Sequence, residues 1–425
     1  MNADDASNRS TIPLPLSLIA SCCAIGLSIG AVLFGLNYAD NLEQKYIHGI
    51  APLYRDSVIN GSVLQKTAFN TPDLLPVYGA SEAHKEEGPF QAIEFFRNYP
   101  TGFALFDAAK KGSKFLSEAL SLASVGKNLQ GKKVIISFTA TQFIIPPIDP
   151  KSYTGLFTRL HANELIFSPW LSYSTKQLAA KRMREYPETL RKDPFLAFAM
   201  SQLSQQTLLA KVLYFVVFPL GRLQTDIMEL QDHYQAVQYI LQHQRKLMSK
   251  TLPHVPAMID WQAVLANGRS LAEERSSGTP FGFSEEVLLN LLKNPEIMEK
   301  LQTDYNAKPK ISGDTQFLKE LKDSGESADL EMLLQILKEL GAKPMLVGRP
   351  FNRKYYNDIG ISDSALDKYY MDIESIAARF DVPLVDFKNF QNDIYFCIDP
   401  SGHTGQYGWA HVDKVYNDFY HEAVK

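Results

Sequence analysis

The sequence has few cysteines, no concentrated positive charge and no metal-binding motif. Its 425 residues include three cysteines, the adjacent Cys22 and Cys23 and the distant Cys397, which rules out a disulfide framework and a CxxC metal site. The nine histidines contain no HExxH pair, and the net charge of −4 comes with no basic stretch interleaved with aromatic residues. We therefore expect neither a bound metal nor a nucleic-acid partner.

A nucleotide-binding loop is also missing. The stretch "GKNLQGKK" (126–133) fits half of the phosphate-loop pattern, but it would end a helix and precede a strand, whereas a phosphate loop follows a strand and opens a helix. A glycine at a helix C-terminus, with lysines near the negative end of the helix dipole, accounts for this stretch. We therefore expect no cofactor.

Charge is absent from one long segment near the N-terminus. No Asp, Glu, Lys or Arg occurs from Ser10 to Ala39. As a helix, the apolar part at 12–36 would reach roughly 37 Å, which is enough to cross a hydrocarbon core of about 30 Å. We predict a cytoplasmic stub at 1–11, one transmembrane anchor at 12–36, and the remaining chain outside the cell membrane.

Two other interpretations of this segment fit it less well. A cleaved signal peptide would have a shorter apolar region, a basic start and a small-residue cleavage site. The tetrapeptide "IASC" ending at Cys22 loosely resembles a lipoprotein box, but the residues that follow it stay apolar. An uncleaved anchor fits these features better than either alternative.

The rest of the sequence predicts an α/β domain. Short apolar segments with the composition of buried strands occur at 73–79, 101–109, 132–140, 343–348 and 382–387. Helical patterns lie between them, and strands that are apolar on both faces are typical of a parallel sheet covered by helices on both sides. We predict a polar connector at 37–70 and then, at 71–425, an extracytoplasmic three-layer parallel-sheet domain.

A long helical region interrupts this pattern from about 150 to 340. Its segments are charged and have helical spacing, as in "LQDHYQAVQYILQHQRKLM". We predict a helical insertion within the α/β domain. Because the strongly apolar run lies only near the N-terminus, we expect that removing residues 1–38 would leave a soluble domain.

A serine follows the first predicted strand, in "VYGASEAH". The carboxyl ends of parallel strands form the ligand crevice of such sheets, and a serine on a turn there can expose its hydroxyl and use its own N–H to hold an oxyanion. Ser81 is thus a candidate nucleophile. The plainer alternative is that Ser81 caps the helix that follows.

An acid and a histidine share a glycine-rich turn in "YFCIDPSGHTGQYGW" (395–409). A serine nucleophile needs a general base, and that base needs an orienting carboxylate. His403 and Asp399 are candidates for these two roles, because Pro400 and Gly402 favour a loop over a helix. A surface turn with a structural Asp is the alternative.

A second oxyanion donor is suggested by Gly112, which precedes the predicted helix at 113–129. Backbone N–H groups at a helix N-terminus can hold an oxyanion. A plain loop in which Ser113 caps the helix is the favoured alternative.

Three blocks of the sequence resemble one known family. They are "VYGASEAH", "LFTRLHANELIFSPWLS" and the C-terminal block at 351–420. These resemble the DltD family of D-alanyl-lipoteichoic acid biosynthesis proteins, which is similar in fold to the serine hydrolases of the SGNH type. The resemblance assigns family motif positions to Ser81, His403 and Trp409.

The sequence departs from that family in three places. The usual Gly-Ser-Ser-Glu is Gly-Ala-Ser-Glu here, and Asp399 lies four residues before His403, where the family has three. The family's Ser-Pro-Gln-Trp-Phe segment corresponds to "TATQF" at 139–143, in which Gln142 would be a further oxyanion donor.

The resemblance implies a membrane-anchored protein that helps to move D-alanine onto a teichoic acid-like polymer. Its implied partners are a multipass membrane O-acyltransferase and a D-alanyl carrier protein. In one hypothesis the protein is an enzyme, a serine-dependent D-alanyl transferase or esterase. In the other it is a non-catalytic, membrane-tethered adaptor that positions the carrier or polymer for the O-acyltransferase.

Overall fold

A parallel β-sheet forms the centre of the protein. The computed structural model describes residues 16–56, 61–83, 88–144, 150–250, 258–276, 313–398 and 402–422. Within these ranges the sheet has five strands, β1 (Leu74–Tyr78), β2 (Ala104–Asp107), β3 (Lys133–Thr139), β4 (Lys343–Arg349) and β5 (Leu384–Val385). All neighbouring strands pair in parallel, in the order β2-β1-β3-β4-β5. This is the flavodoxin-like order, so the predicted α/β class is confirmed.

Helices cover both faces of the sheet. One face carries α2 (Val63–Asn70), α4 (Phe115–Val125), α13 (Glu326–Glu339) and α15 (Asp363–Phe380), and the other carries α3 (Ala92–Asn98), α11 (Trp261–Ser276) and α16 (Gln406–His421). Successive strand side chains enter opposite cores: Ile136 lies in the first, whereas Ile135 lies in the second. This alternation is why the strands are apolar on both faces.

A run of helices separates β3 from β4, as the sequence predicts. Besides α11 and α13, these are α5 (Pro150–Leu156), α6 (Arg159–Ile166), α7 (Tyr173–Met183), α8 (Pro187–Leu190), α9 (Pro194–Leu203), α10 (Leu208–Lys250) and α12 (Gly313–Asp323). A short α14 (Arg353–Asp358) follows β4. Helices α6 and α10 of this region pack on α4 and α2, so they extend the first core, whereas α11 packs on α16 in the second.

The N-terminal helix α1 (Leu16–Ile50) is longer than the predicted anchor. The side chains at 18–35 are exposed, while Ile47 and Ile50 are completely buried in the first core. The stretch predicted as a polar connector is therefore largely helical, because α1 continues through it and α2 completes it. By length and composition α1 can cross a membrane.

A second helix also has the length and composition of a membrane span. It is α10, 43 residues long, whose apolar N-terminal half is mostly exposed. The sequence reasoning located the strong apolar run only at the N-terminus, so this helix was missed. Residues 208–221 read LLAKVLYFVVFPLG, with Lys211 as the one charged residue, whereas the C-terminal half of the helix mixes apolar and charged residues.

Candidate functional site

Ser81 lies on a tight turn at the carboxyl end of β1. The strand ends at Tyr78, and Ser81 opens a single 3₁₀ turn, Ser81–Ala83. Gly79 is needed between them, because a Cβ at this position would lie 2.8 Å from the carbonyl oxygen of Ser137 on β3. The close approach of β1 and β3 thus fixes where the Ser81 hydroxyl emerges.

His403 lies on a closed loop that rests on the end of the sheet. Cys397 and Thr404 form an antiparallel bridge, and the Ile398 N–H donates to the His403 carbonyl oxygen at 2.8 Å. Gly402 has a left-handed backbone, with φ of +83°, and a Cβ there would lie 3.3 Å from Thr139 Cγ2. The described residues on the two sides of 399–401 therefore lie next to each other, and Gly402 lies against the end of β3.

The two loops bring Ser81 and His403 together. Ser81 Oγ lies 3.0 Å from His403 Nε2, although the residues are 322 positions apart in the chain. Both side chains are half-buried, and the distance is a normal hydrogen bond. Asp399, the predicted orienting carboxylate, lies outside the described residues, as does Pro400.

Arg349, at the last position of β4, is a site neighbour that the sequence reasoning missed. Its guanidinium is fully buried, Nε donates to Thr404 Oγ1 at 2.7 Å, and the group lies 5.4 Å from the ring centroid of Trp409. Burial raises the pKa of the nearby Asp413 carboxyl well above its usual value, and the charge of Arg349 opposes that rise. The signal was available, because an arginine at the carboxyl end of an apolar parallel strand lies at the same crevice as Ser81.

The turn that carries Ser81 is backed by the protein interior. Glu82 is almost completely buried, and its Oε1 accepts a hydrogen bond from the Ala80 N–H at 2.9 Å. Burial raises the pKa of Glu82, against the opposing effects of that N–H and of Arg349. Burial also raises the pKa of Glu118 well above its usual value, assisted by the charge of Glu82. Electrostatic interactions are strong in a buried, low-dielectric environment such as the one behind Ser81.

The two predicted oxyanion donors differ in their surroundings. Gln142 is buried in a 3₁₀ turn, Ala140–Phe143, directly after β3, and neither atom of its amide has a hydrogen-bond partner among the described residues. Gly112 is an exposed turn residue with φ of +76°, and a Cβ built at this position would have no atom within 4 Å. Because β1 and β3 are neighbours, Gln142 emerges at the same edge of the sheet as Ser81.

This arrangement has the parts that acyl transfer needs. A hydroxyl and an imidazole at hydrogen-bond distance can exchange a proton while the hydroxyl oxygen attacks a carbonyl. The Ser81 N–H lies at the start of a 3₁₀ turn, where an N–H can serve an oxyanion, and an unpaired amide such as Gln142 could be a second donor.

One group of possible metal ligands occurs in the described chain, and it lies where α1 meets α10. Ligand atoms of Asp40, Glu43 and His233 lie within 4.8 Å of one another. His233 Nδ1 is 2.8 Å from Glu43 Oε1. Burial lowers the pKa of His233, but the hydrogen bond and charge of Glu43 outweigh it and raise that pKa. The group fits an ion pair that joins two helices, and it involves neither Ser81 nor His403.

Comparison with known proteins gives a consistent result along nearly the whole chain. A family model described as DltD protein matches residues 51–421. Protein DltD of Bacillus subtilis (strain 168) is 24% identical over 380 residues, covering 89% of this chain and 90% of the relative. Protein DltD of Staphylococcus aureus (strain NCTC 8325 / PS 47) is 20% identical over 373 residues, covering 88% of each chain.

Proposed function

The chain belongs to the DltD family, whose members take part in the D-alanylation of teichoic acid, and we propose that it is a membrane-anchored D-alanyl transferase with Ser81 as its nucleophile. The observation that carries this proposal is the 3.0 Å separation of Ser81 Oγ and His403 Nε2. An adaptor without chemistry would have no need for this pair at a crevice.

In the first half of the proposed reaction, His403 Nε2 takes the Ser81 proton as Oγ attacks the carbonyl carbon of a D-alanyl ester or thioester. The tetrahedral oxyanion is held by the Ser81 N–H and the Gln142 amide, each worth roughly 3 kcal/mol when preorganised. The carbonyl re-forms, the leaving oxygen or sulfur takes the proton from His403, and D-alanine remains on Ser81 as an ester.

In the second half, His403 removes the proton from a hydroxyl of the acceptor polymer. The resulting nucleophile attacks the D-alanyl ester, Ser81 leaves and regains its proton from His403, and the D-alanyl ester passes to the polymer. Asp399 would hold the imidazole in the tautomer that presents Nε2 to Ser81. We expect the donor to be a D-alanyl carrier protein acting through a multipass membrane O-acyltransferase.

A fluorophosphonate probe tests whether Ser81 is an activated nucleophile. The full chain in detergent should be labelled at Ser81, and both Ser81→Ala and His403→Ala should lose labelling by at least about a hundredfold. A matched control is His243→Ala on α10, which should label like the parent protein. If the folded parent protein takes up no probe, the adaptor hypothesis replaces the enzyme.

A further inference from the structure

The N-terminal half of α10 carries an exposed surface without charge. Its six central residues, called here the α10 apolar face, are Leu209, Val212, Phe215, Val216, Leu220 and Leu223. At 100° per residue they span an arc of about 140°. Val216 is 66% exposed and Leu209 is 68% exposed. A contiguous apolar strip of this kind on a helix marks a surface that contacts a protein or a membrane.

The opposite side of α10 is packed on the domain. Tyr214 is completely buried, and its hydroxyl donates to the carbonyl oxygen of Ile166 at 2.7 Å. Arg222 donates to Glu164 on α6 at 2.9 Å. Because one side of the helix is covered by protein, lipid cannot surround α10, and the helix cannot cross a bilayer as an ordinary span.

The position of α1 indicates what covers the α10 apolar face. Glu43 of α1 meets His233 of α10, and further along both helices Gly49 approaches the backbone of Leu247. The two contacts occur in the same order along each helix, so the helices run in the same general direction. The N-terminal half of α10 therefore extends from the shared contact on the same side as the apolar half of α1.

The two helices also become apolar at nearly the same level. The Glu43–His233 contact is the reference point on both helices. Counted from it toward the N-terminus, the apolar segment of α1 is reached at Leu36, seven residues or roughly 10 Å before Glu43. The α10 apolar face is reached at Leu223, ten residues or roughly 15 Å before His233. If the apolar half of α1 is in the membrane, the α10 apolar face lies beside it at the level of the hydrocarbon region. Lys211 flanks the face, and its ammonium lies 5.1 Å from the Tyr173 ring centroid, so this charge is paired with an aromatic ring of the domain.

We propose that the α10 apolar face contacts lipid in the outer leaflet of the bilayer and is a second membrane contact beside the α1 anchor. Because the other side of α10 is covered by the folded domain, the helix meets lipid on one side only. The contact would fix the orientation of the domain, because a single helical anchor alone leaves it free to rotate.

Environment-sensitive labels on the full chain test this proposal. Cys22 and Cys23 are replaced by alanine, and the buried Cys397 is kept. A fluorescent maleimide is then attached at Val216→Cys, at Leu223→Cys, or at the control Met371→Cys on α15, where Met371 is 61% exposed. Each protein is placed in nanodiscs of phosphatidylcholine and phosphatidylglycerol whose acyl chains carry a spin-label quencher.

The labels on α10 should be quenched by the lipid at least about threefold more than the label at Met371, and they should be protected from aqueous iodide. Equal iodide quenching at Val216 and Met371 would overturn the proposal. Protection from both quenchers would also overturn it, since it would assign the face to a second copy of the chain. Thermal unfolding of each labelled protein shows whether it is folded, and the two α10 positions serve as independent tests.

Discussion

Arg349 Nε donates a hydrogen bond to Thr404 Oγ1 at 2.7 Å, so the residue that follows His403 is tied to the end of β4. This tie is independent of the loop closure between Ile398 and His403. Together they hold the His403 backbone on the sheet, which matters because hydrogen-bond reach to Ser81 leaves little room for error.

Replacing Arg349 by methionine should weaken both the fold and the site. The change removes the tie to Thr404 and the positive charge beside the buried Asp413, and we expect a loss of about 3 kcal/mol in the free energy of unfolding. Denaturant unfolding measures this. The exposed Arg379→Met should cost less than about 1 kcal/mol, and equal losses for the two variants would show that the Arg349 contacts contribute no stability.

Gly402→Ala should impair the site more than the fold. The left-handed backbone at this position costs an L-residue about 1–2 kcal/mol, and the added Cβ would press on Thr139. Gly131→Ala is a matched control, because Gly131 is also left-handed, with φ of +71°, but has no atom within 4 Å of a Cβ. Both variants should lose similar stability, while only Gly402→Ala should reduce fluorophosphonate labelling, by about tenfold or more.

Asp399→Asn should leave the fold intact and slow the labelling of Ser81. An asparagine can donate an N–H to the imidazole and so favour the wrong tautomer, which predicts a fall of roughly 10²–10⁴-fold in the labelling rate. The surface Asp358→Asn should have no effect on this rate. An Asp399→Asn protein that labels at the parent rate would remove Asp399 from the site.

His161 should make the protein less stable as the pH falls. Burial, assisted by the charges of Lys66 and Lys110, lowers the pKa of His161 to about 4 from an ordinary 6.5. Below about pH 6.5 the His161 imidazole binds a proton in the unfolded chain but not in the folded protein. Stability is therefore lost from about pH 6.5 down to about pH 4, by up to about 3 kcal/mol.

The variant His161→Asn should lose less stability than the parent protein between about pH 7.5 and about pH 5. Buried acids gain stability as the pH falls, because burial raises the pKa of Glu326 to about 7. The informative quantity is therefore the difference between the two proteins in how their free energy of unfolding changes with pH. Urea unfolding at both pH values measures it, with His243→Asn as the control. Parallel pH dependences for His161→Asn and the parent would contradict the assignment.

Removing residues 1–38 should give a folded protein that still binds vesicles. The buried part of α1 begins at Ala39, so the domain keeps its packing, and the α10 apolar face retains affinity for lipid. Adding Val216→Glu and Leu220→Glu should reduce co-sedimentation with phosphatidylcholine and phosphatidylglycerol vesicles at least about tenfold. A truncated protein that stays in the supernatant would restore the soluble domain expected from the sequence.

The sequence located the sheet well because each strand has a strong apolar signal. The strand predicted at 132–140 is observed at Lys133–Thr139, and the one at 343–348 is observed at Lys343–Arg349. The fifth strand is shorter than predicted, only Leu384–Val385. It is an edge strand whose one neighbour is β4, so its length is set by the number of residues that pair with β4 and not by its own composition.

The site was only partly predictable. A serine after a strand and a histidine on a glycine-rich turn could each be identified locally, but Arg349 acquires its importance from the His403 loop that lies beside it. The exposed apolar surface of α10 was missed for a similar reason, since an apolar run of 14 residues also fits a helix buried in a protein core. Which side faces the core is decided by the packing of Tyr214 and its neighbours.

The order of the elements along the chain has a consequence for biosynthesis. Ser81 follows the first strand, whereas His403 is translated 322 residues later, after every strand of the described sheet. At ribosomal speeds of about 5–20 residues per second, His403 is added to the chain on the order of tens of seconds after Ser81. If Ser81 is the nucleophile proposed above, the emerging chain therefore cannot form an acyl-enzyme until nearly all of it has been made.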